Sequence, residues 1–253
     1  MIISELKDLL KNIVRWAFAF IALSTFFFLF STQTVTIKGR EVPVPWMTDS
    51  SYTIQFFDTL QRTLIPSEVD LIVTNPFDAF FIEVKLSLFL AFIVLSPFLL
   101  WGILRYLSPA LKQSERKSLY KVVLPSTILF FSGCLFAYAY IIPSTIKIMY
   151  AHAPNIKAIQ YFNVNDFISL ALMMMVATGI MFVLPVCMVI SSYLGIVNPV
   201  IWKQYWRQAI FGCLLVTAVI TPDGSGITMA MLAIPLCLLY IVGLFISWRY
   251  KTS

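Results

Sequence analysis

Tyr106-Leu-Ser-Pro-Ala-Leu-Lys-Gln-Ser-Glu-Arg-Lys-Ser-Leu-Tyr-Lys121 is a short basic island between two long apolar runs. Lys112, Arg116, Lys117 and Lys121 lie in it, Arg105 stands just upstream, and one carboxylate, Glu115, sits among them. The flanks decide the fold class. Residues 80–104 before the island and 122–142 after it each reach the roughly 20 apolar residues a helix needs to cross a bilayer. Working outward, apolar runs recur at 14–30, 167–194, 207–220 and 229–246.

These runs make up most of the chain. Of its 253 residues 60% are hydrophobic and 12% charged, and the mean hydropathy is +0.87. A soluble domain carries about twice that charge. The expected fold is an all-α polytopic membrane protein with six transmembrane helices, organised as a single domain over residues 1–253. The fifth run has about 14 residues, or about 21 Å of helix, against about 30 Å of hydrocarbon. Pro97, Pro125, Pro143, Pro185 and Pro235 lie in or beside the runs, where proline bends a helix and frees a carbonyl. Such kinks either just shape the bundle or make the helices tilt around a concave face.

Charge sets the expected orientation. Twelve of the 18 basic residues fall on the side holding the N-terminus, the island and the C-terminus. The positive-inside rule then places both termini in the cytoplasm. The segment MIISELKDLLKN, residues 1–12, alternates at helical spacing and predicts an amphipathic helix that flows into an uncleaved first span. Residues 31–78 read as a mixed polar segment. Tyr52, Phe56, Phe57, Leu60 and Leu64 predict a short amphipathic helix within it. Pro143 is expected to close the third span, and Asp166 to cap the fourth.

Several function classes are excluded or left without support. The net charge of +6 lies in loops between spans and is no nucleic-acid signal. Cys134, Cys187, Cys213 and Cys237 all fall inside apolar runs without metal-site spacing. There is one histidine, His152, and no glycine-rich phosphate loop. No cofactor and no enzymatic activity are expected.

Two acids stand out on the basic side, Glu5 and Glu115. One reading makes them solvated acids that balance nearby cations. The other makes them a receptor, because a carboxylate at a membrane surface can take both prongs of an arginine guanidinium. Asp223, in the turn TPDG, suits turn chemistry. Thr217, Thr221 and Thr228, near the same end, either bond back to their own helices or meet a partner helix. A small-molecule transporter would want charges at the bilayer midplane or an inverted repeat, and the sequence offers neither. A ligand-free membrane scaffold is the remaining alternative.

Three runs carry a family resemblance: NPFDAFFIEVKLSL, SPFLLWGILRYLSPALKQSERK and TPDGSGITMAMLAIPLCLLY. Together they resemble the TatC family of the twin-arginine protein translocase across nearly the whole chain. The resemblance implies a cupped six-helix receptor in a prokaryotic cell membrane. It implies binding of twin-arginine signal peptides on folded cargo proteins, and transport driven by the proton motive force. By motif, the signal-peptide site falls on Glu5 and Glu115, with Tyr106, Pro109, Leu111 and Lys112 lining the patch. Pro76, Phe77, Phe80 and Phe81 would support the cup from an outer loop. Single-span partner proteins of the TatA and TatB type would pack near Thr221, Asp223 and Thr228. The resemblance also implies a homo-oligomer within a larger complex, embedded in membrane lipid. The chain departs from the pattern at GIMFVLPV, residues 179–186, where Val183 or a neighbour stands in place of a glutamate that many family members carry.

Overall fold

The computed structural model describes residues 2–37, 40–47, 51–64, 70–107, 113–152, 161–193, 195–221 and 226–249, with no side-chain description for 2–13, 31–50, 70–71, 103–121, 150–152 and 161–162. Contacts group the chain into two compact units, Met1–Leu99 with Tyr161–Ser169, and Leu100–Gln160 with Leu170–Ser253.

The first unit opens with α1 (Ile2–Leu29), one continuous helix that joins the amphipathic start to the first apolar run. It leads into an antiparallel hairpin of β1 (Phe30–Ile37) and β2 (Arg40–Met47), paired from Phe30↔Met47 to Ile37↔Arg40. No strand is expected here from the sequence. The β-branched run Thr34-Val35-Thr36-Ile37 followed by Lys38-Gly39 is a hairpin signal, but Pro43 and Pro45 speak against a strand. The two prolines are two residues apart, so both missing N–H groups fall on one edge. A two-stranded ribbon tolerates that on its open side.

Next comes α2 (Tyr52–Leu64), the amphipathic helix expected from its periodicity. Ser51 caps it, with Ile54 N–H donating to Ser51 O at 3.1 Å. The buried residues Thr53, Leu60 and Leu64 lie at helical spacing. Phe26 and Phe27 of α1 pack on Tyr52, with ring centroids 6.1 and 6.0 Å away. A short β3 (Asp70–Ile72) precedes α3 (Asp78–Leu107). On α3, Phe89 stacks against Phe56 of α2 at 5.8 Å. Ser87 shares a 3.1 Å hydrogen bond with Ser24 of α1. Pro97 sits inside α3 and cannot donate to Ile93 O, four residues back. Ser96 Oγ donates to that carbonyl instead, at 2.8 Å.

β3 pairs in parallel with β4 (Tyr161–Asn163), Asp70 opposite Tyr161 and Ile72 opposite Asn163. β4 runs directly into α6 (Val164–Phe182), whose first residues belong to this unit. The cap of α6 is Asn163, whose Oδ1 accepts Asn165 N–H at 2.8 Å. Asp166, expected in that role, lies too far into the helix and is exposed.

In the second unit the third apolar run is α4 (Gln113–Phe136), then a π turn (Ala137–Ile141), then α5 (Ile142–His152). Pro143 therefore does not close the span. The wider π turn, with Ile142 N–H bonded to Ala137 O, changes the register just before the proline, and the helix continues. After α6, α7 (Leu184–Tyr193) follows a break at Val183. Val183 N–H bonds Ile180 O at 3.2 Å in a tightened turn, and Pro185 has no N–H to give to Met181. The chain ends with α8 (Pro199–Gln204), α9 (Trp206–Ile220) and α10 (Gly226–Trp248). Asn198 caps α8 by accepting Val200 N–H at 3.1 Å.

Small residues let these helices approach closely, as expected where lipid removes the hydrophobic drive between helices. A Cβ on Gly243 of α10 would sit 2.9 Å from Pro185 Cα of α7. A Cβ on Gly133 of α4 would sit 2.9 Å from Gly179 Cα of α6. Tyr240 of α10 donates to Trp202 O of α8 at 2.6 Å. Among the described residues, four helical segments can cross a membrane by length and composition: Asp78–Gly102, Val122–Met149, Val164–Tyr193 and Gly226–Trp248. Val14–Leu29 and Trp206–Ile220 are shorter apolar helices, which completes six.

Candidate functional site

Two places are candidates for the chemistry. At the island, α3 ends and α4 begins. Tyr106 is in the last turn of α3, and Glu115 is the third residue of α4. A helix N-terminus carries a positive partial charge, so position 115 is one where a carboxylate is electrostatically favoured. Glu5 is on the first turn of α1. The side chains of Glu5, Tyr106 and Glu115, and all of Pro109, Leu111, Lys112 and Asp223, lie outside the described residues.

The second place is the polar cluster where α3 and α6 start, all within the first unit. Asp78 is buried, with 2% of its surface exposed, although a carboxylate is among the costliest groups to bury. Its Oδ2 accepts the Asn75 N–H at 3.0 Å, a reach back over the helix start. Its Oδ1 accepts from Asn165 Nδ2 at 3.0 Å. Asn165 Oδ1 in turn accepts from Lys85 Nζ at 2.6 Å, and Lys85 also donates to Ser169 Oγ at 2.7 Å. Asn163 Nδ2 donates to Thr74 Oγ1 at 2.8 Å. The amide of Asn165 thus stands between a carboxylate and an ammonium, and couples their charges without direct contact. Residues 78 and 85 are seven apart on α3, and 165 and 169 four apart on α6, so each pair shares one helix face. That spacing is the available signal in the sequence. Taken segment by segment, it leaves Lys85 at the mouth of a span and Asn165 in a loop.

The outer-loop residues expected to support the cup fall beside this cluster. Pro76, Phe77, Phe80 and Phe81 are all exposed, and Phe80 also meets Phe28 of α1 edge to face at 6.0 Å. Phe81 packs on Phe80 at 5.9 Å.

Thr221 and Thr228 are buried, at 5% and 0% exposure. Thr221 Oγ1 donates to Thr217 O at 2.8 Å, and Thr217 Oγ1 to Leu214 O at 2.8 Å, which is back-bonding within one helix. The exposed residues flanking them are apolar, among them Val219 and Ile227. Val183, at the α6–α7 break, brings no charge to that point of the span. Among the described residues no group of histidine, cysteine and acidic side chains is arranged to hold a metal ion.

Comparison with known proteins places this geometry. The sequence pattern of the TatC family, described as Sec-independent protein translocase protein (TatC), matches residues 4–235. A Sec-independent protein translocase protein TatC from Cenarchaeum symbiosum is 32% identical over 249 residues, covering 97% of this chain and 93% of that protein. Its counterpart from Aquifex aeolicus is 33% identical over 194 residues, 76% of this chain and 80% of that one. A crystal structure described as the twin arginine translocase receptor TatC superimposes with a TM-score of 0.76 at 27% identity, covering 98% of this chain and 99% of that one.

Proposed function

Because the chain belongs to the TatC family of Sec-independent protein translocase proteins, we propose that it is the signal-peptide receptor and core component of a twin-arginine translocase. The whole-chain likeness to a solved twin-arginine receptor carries this reading. The protein is a multi-pass membrane protein of the translocase. Both termini and the island face the cytoplasm, a placement supported by the twelve cations on that side.

Glu5 and Glu115 each receive one arginine of the signal peptide. A carboxylate accepts a guanidinium through two parallel bonds, which lysine cannot match. Successive helix positions turn by about 100°, so Arg116 and Lys117 leave the face on which position 115 lies. Tyr106, Pro109, Leu111 and Lys112 shape the same patch. Charge-assisted bonds of this kind contribute roughly 1.5–3 kcal/mol each, so the apolar part of the signal supplies much of the remaining affinity. Single-span partners meet the α9–α10 hairpin near Thr221, Asp223 and Thr228. Since the two threonines are buried, the contact itself runs through exposed apolar residues such as Val219 and Ile227. The proton motive force drives transport, and with Val183 or a neighbour where many family members carry a glutamate, its coupling uses other groups.

The test exchanges charge at the island. Purified protein should bind a twin-arginine peptide and bind a twin-lysine control weakly. Glu115→Lys should lose the preference between the two. If Glu115→Lys binds the twin-arginine peptide as the wild type does, the assignment of Glu115 is wrong. If the wild type ignores both peptides, the receptor reading itself fails.

A further inference from the structure

A cavity of about 310 Å³ opens in the first unit, between α2 and the beginnings of α3 and α6. That is near the lower end of small-molecule site volumes. Phe57, Ile82 and Leu86 give it an apolar wall, and Thr53, Gln61 and Glu83 are its polar members. Glu83 is the charged one, and it is half-buried. It has no hydrogen-bond or ion-pair partner among the described residues. The nearest cation in sequence, Lys85, gives its ammonium to Asn165 and Ser169 instead. Arg62, next to Gln61 on α2, is exposed and makes no ion pair with Glu83 among the described residues.

An acid on a membrane-spanning helix is costly unless something pairs with it. Its depth says what that something is. Glu83 lies five residues past the start of α3 at Asp78, or about 7.5 Å along the axis. The polar zone of a bilayer is about 5–7 Å thick on each side of the hydrocarbon. Counted from Asp78, where the apolar span begins, the carboxylate lies near one end of that span, with an apolar hollow beside it. We propose that the cavity holds one acyl chain of a membrane lipid whose headgroup carries a primary ammonium, with Glu83 as the counter-ion of that ammonium. The carboxylate discriminates between headgroups, while the hollow accepts the chain of either kind.

The probe is phosphatidylethanolamine against phosphatidylglycerol. The full chain is reconstituted in nanodiscs with equal amounts of the two, released into mild detergent, and its retained lipids are counted by native mass spectrometry. Wild type should retain phosphatidylethanolamine over phosphatidylglycerol by about tenfold, which is ~1.4 kcal/mol. Glu83→Gln should bring the ratio close to one, and Glu83→Lys should reverse it. Ala79→Trp, at an exposed lining position, should lower retention of both lipids by filling the hollow. Equal retention of the two lipids by the wild type overturns the proposal, as would happen if a basic protein segment were the true occupant. A preference unchanged in both Glu83→Gln and Glu83→Lys, or retention unchanged in Ala79→Trp, overturns it as well. Thermal unfolding of each variant shows that the fold is kept.

Discussion

Adding one methyl group at Gly243 should weaken the contact between α7 and α10. A Cβ there would meet Pro185 Cα at 2.9 Å, Pro185 Cβ at 3.1 Å and Met188 Sδ at 3.1 Å. The methionine can swing away, but the proline Cα is backbone and cannot. Carbon atoms pack best at about 3.5–4.0 Å, so the two helices must part by roughly 0.6 Å or more. Overpacking of this kind typically costs about 1–3 kcal/mol. Against it stands the gain from replacing glycine by alanine within a helix, about 0.8–1.0 kcal/mol. Gly212 of α9 separates the two effects, because a Cβ there has nothing within 4 Å. Gly212→Ala should therefore match or exceed wild-type stability, while Gly243→Ala should fall below it. Thermal unfolding of both variants in the same detergent, followed by loss of the monodisperse peak, measures the difference. If Gly243→Ala melts at or above Gly212→Ala, the close approach of α7 and α10 does not hold as described.

The remaining predictions concern hydrogen bonds and thiols. Ser96→Ala should cost about 1–3 kcal/mol by leaving Ile93 O without a donor in a buried place, and adding Pro97→Ala should recover much of it, since the new N–H takes that carbonyl. Stability of the two single variants and the double variant checks this as a cycle. Asn165→Leu removes the amide between Asp78 and Lys85, so it should lower thermal stability and loosen β4, read as faster amide exchange at 161–163. The free thiols of Cys213 on α9 and Cys237 on α10 lie close enough to influence each other. A membrane-permeant oxidant should therefore close a Cys213–Cys237 disulfide, while Cys134 and Cys187 still take up a thiol label once the protein is denatured, which mass spectrometry of the labelled peptides resolves.

How legible the candidate site is differs between its parts. Glu5 and Glu115 stand out as two acids on a strongly basic side, but charge counting alone favours solvated partners of nearby lysines and arginines. The family resemblance, carried by the run around Glu115, is what makes them the proposed receptor residues. The Asp78–Asn165–Lys85 cluster is hidden at that level. Asn165 is 80 and more residues away from the other two, and each looks ordinary within its own segment. Thr221 and Thr228 fall at one end of the last hairpin, as their positions suggest, but no local pattern tells whether a hydroxyl in a short apolar helix faces inward or outward.

The sequence by itself determined the class of protein, the apolar segments and the amphipathic helix α2. Each of these follows from hydropathy and a 3.6-residue period, which are properties of a short window of chain. It also contained the cation bias from which an orientation can be argued. Only the tertiary structure decided the pairing of β3 with β4, the bridge from Asp78 through Asn165 to Lys85, and the seating of Gly243 on Pro185. It decided too that the helix runs on through Pro143, while at Pro185 it breaks. A proline removes one N–H wherever it stands. Whether the backbone absorbs the loss with a π turn, a serine hydroxyl or a break depends on the neighbouring residues and helices, and those that pack on it come from distant parts of the chain.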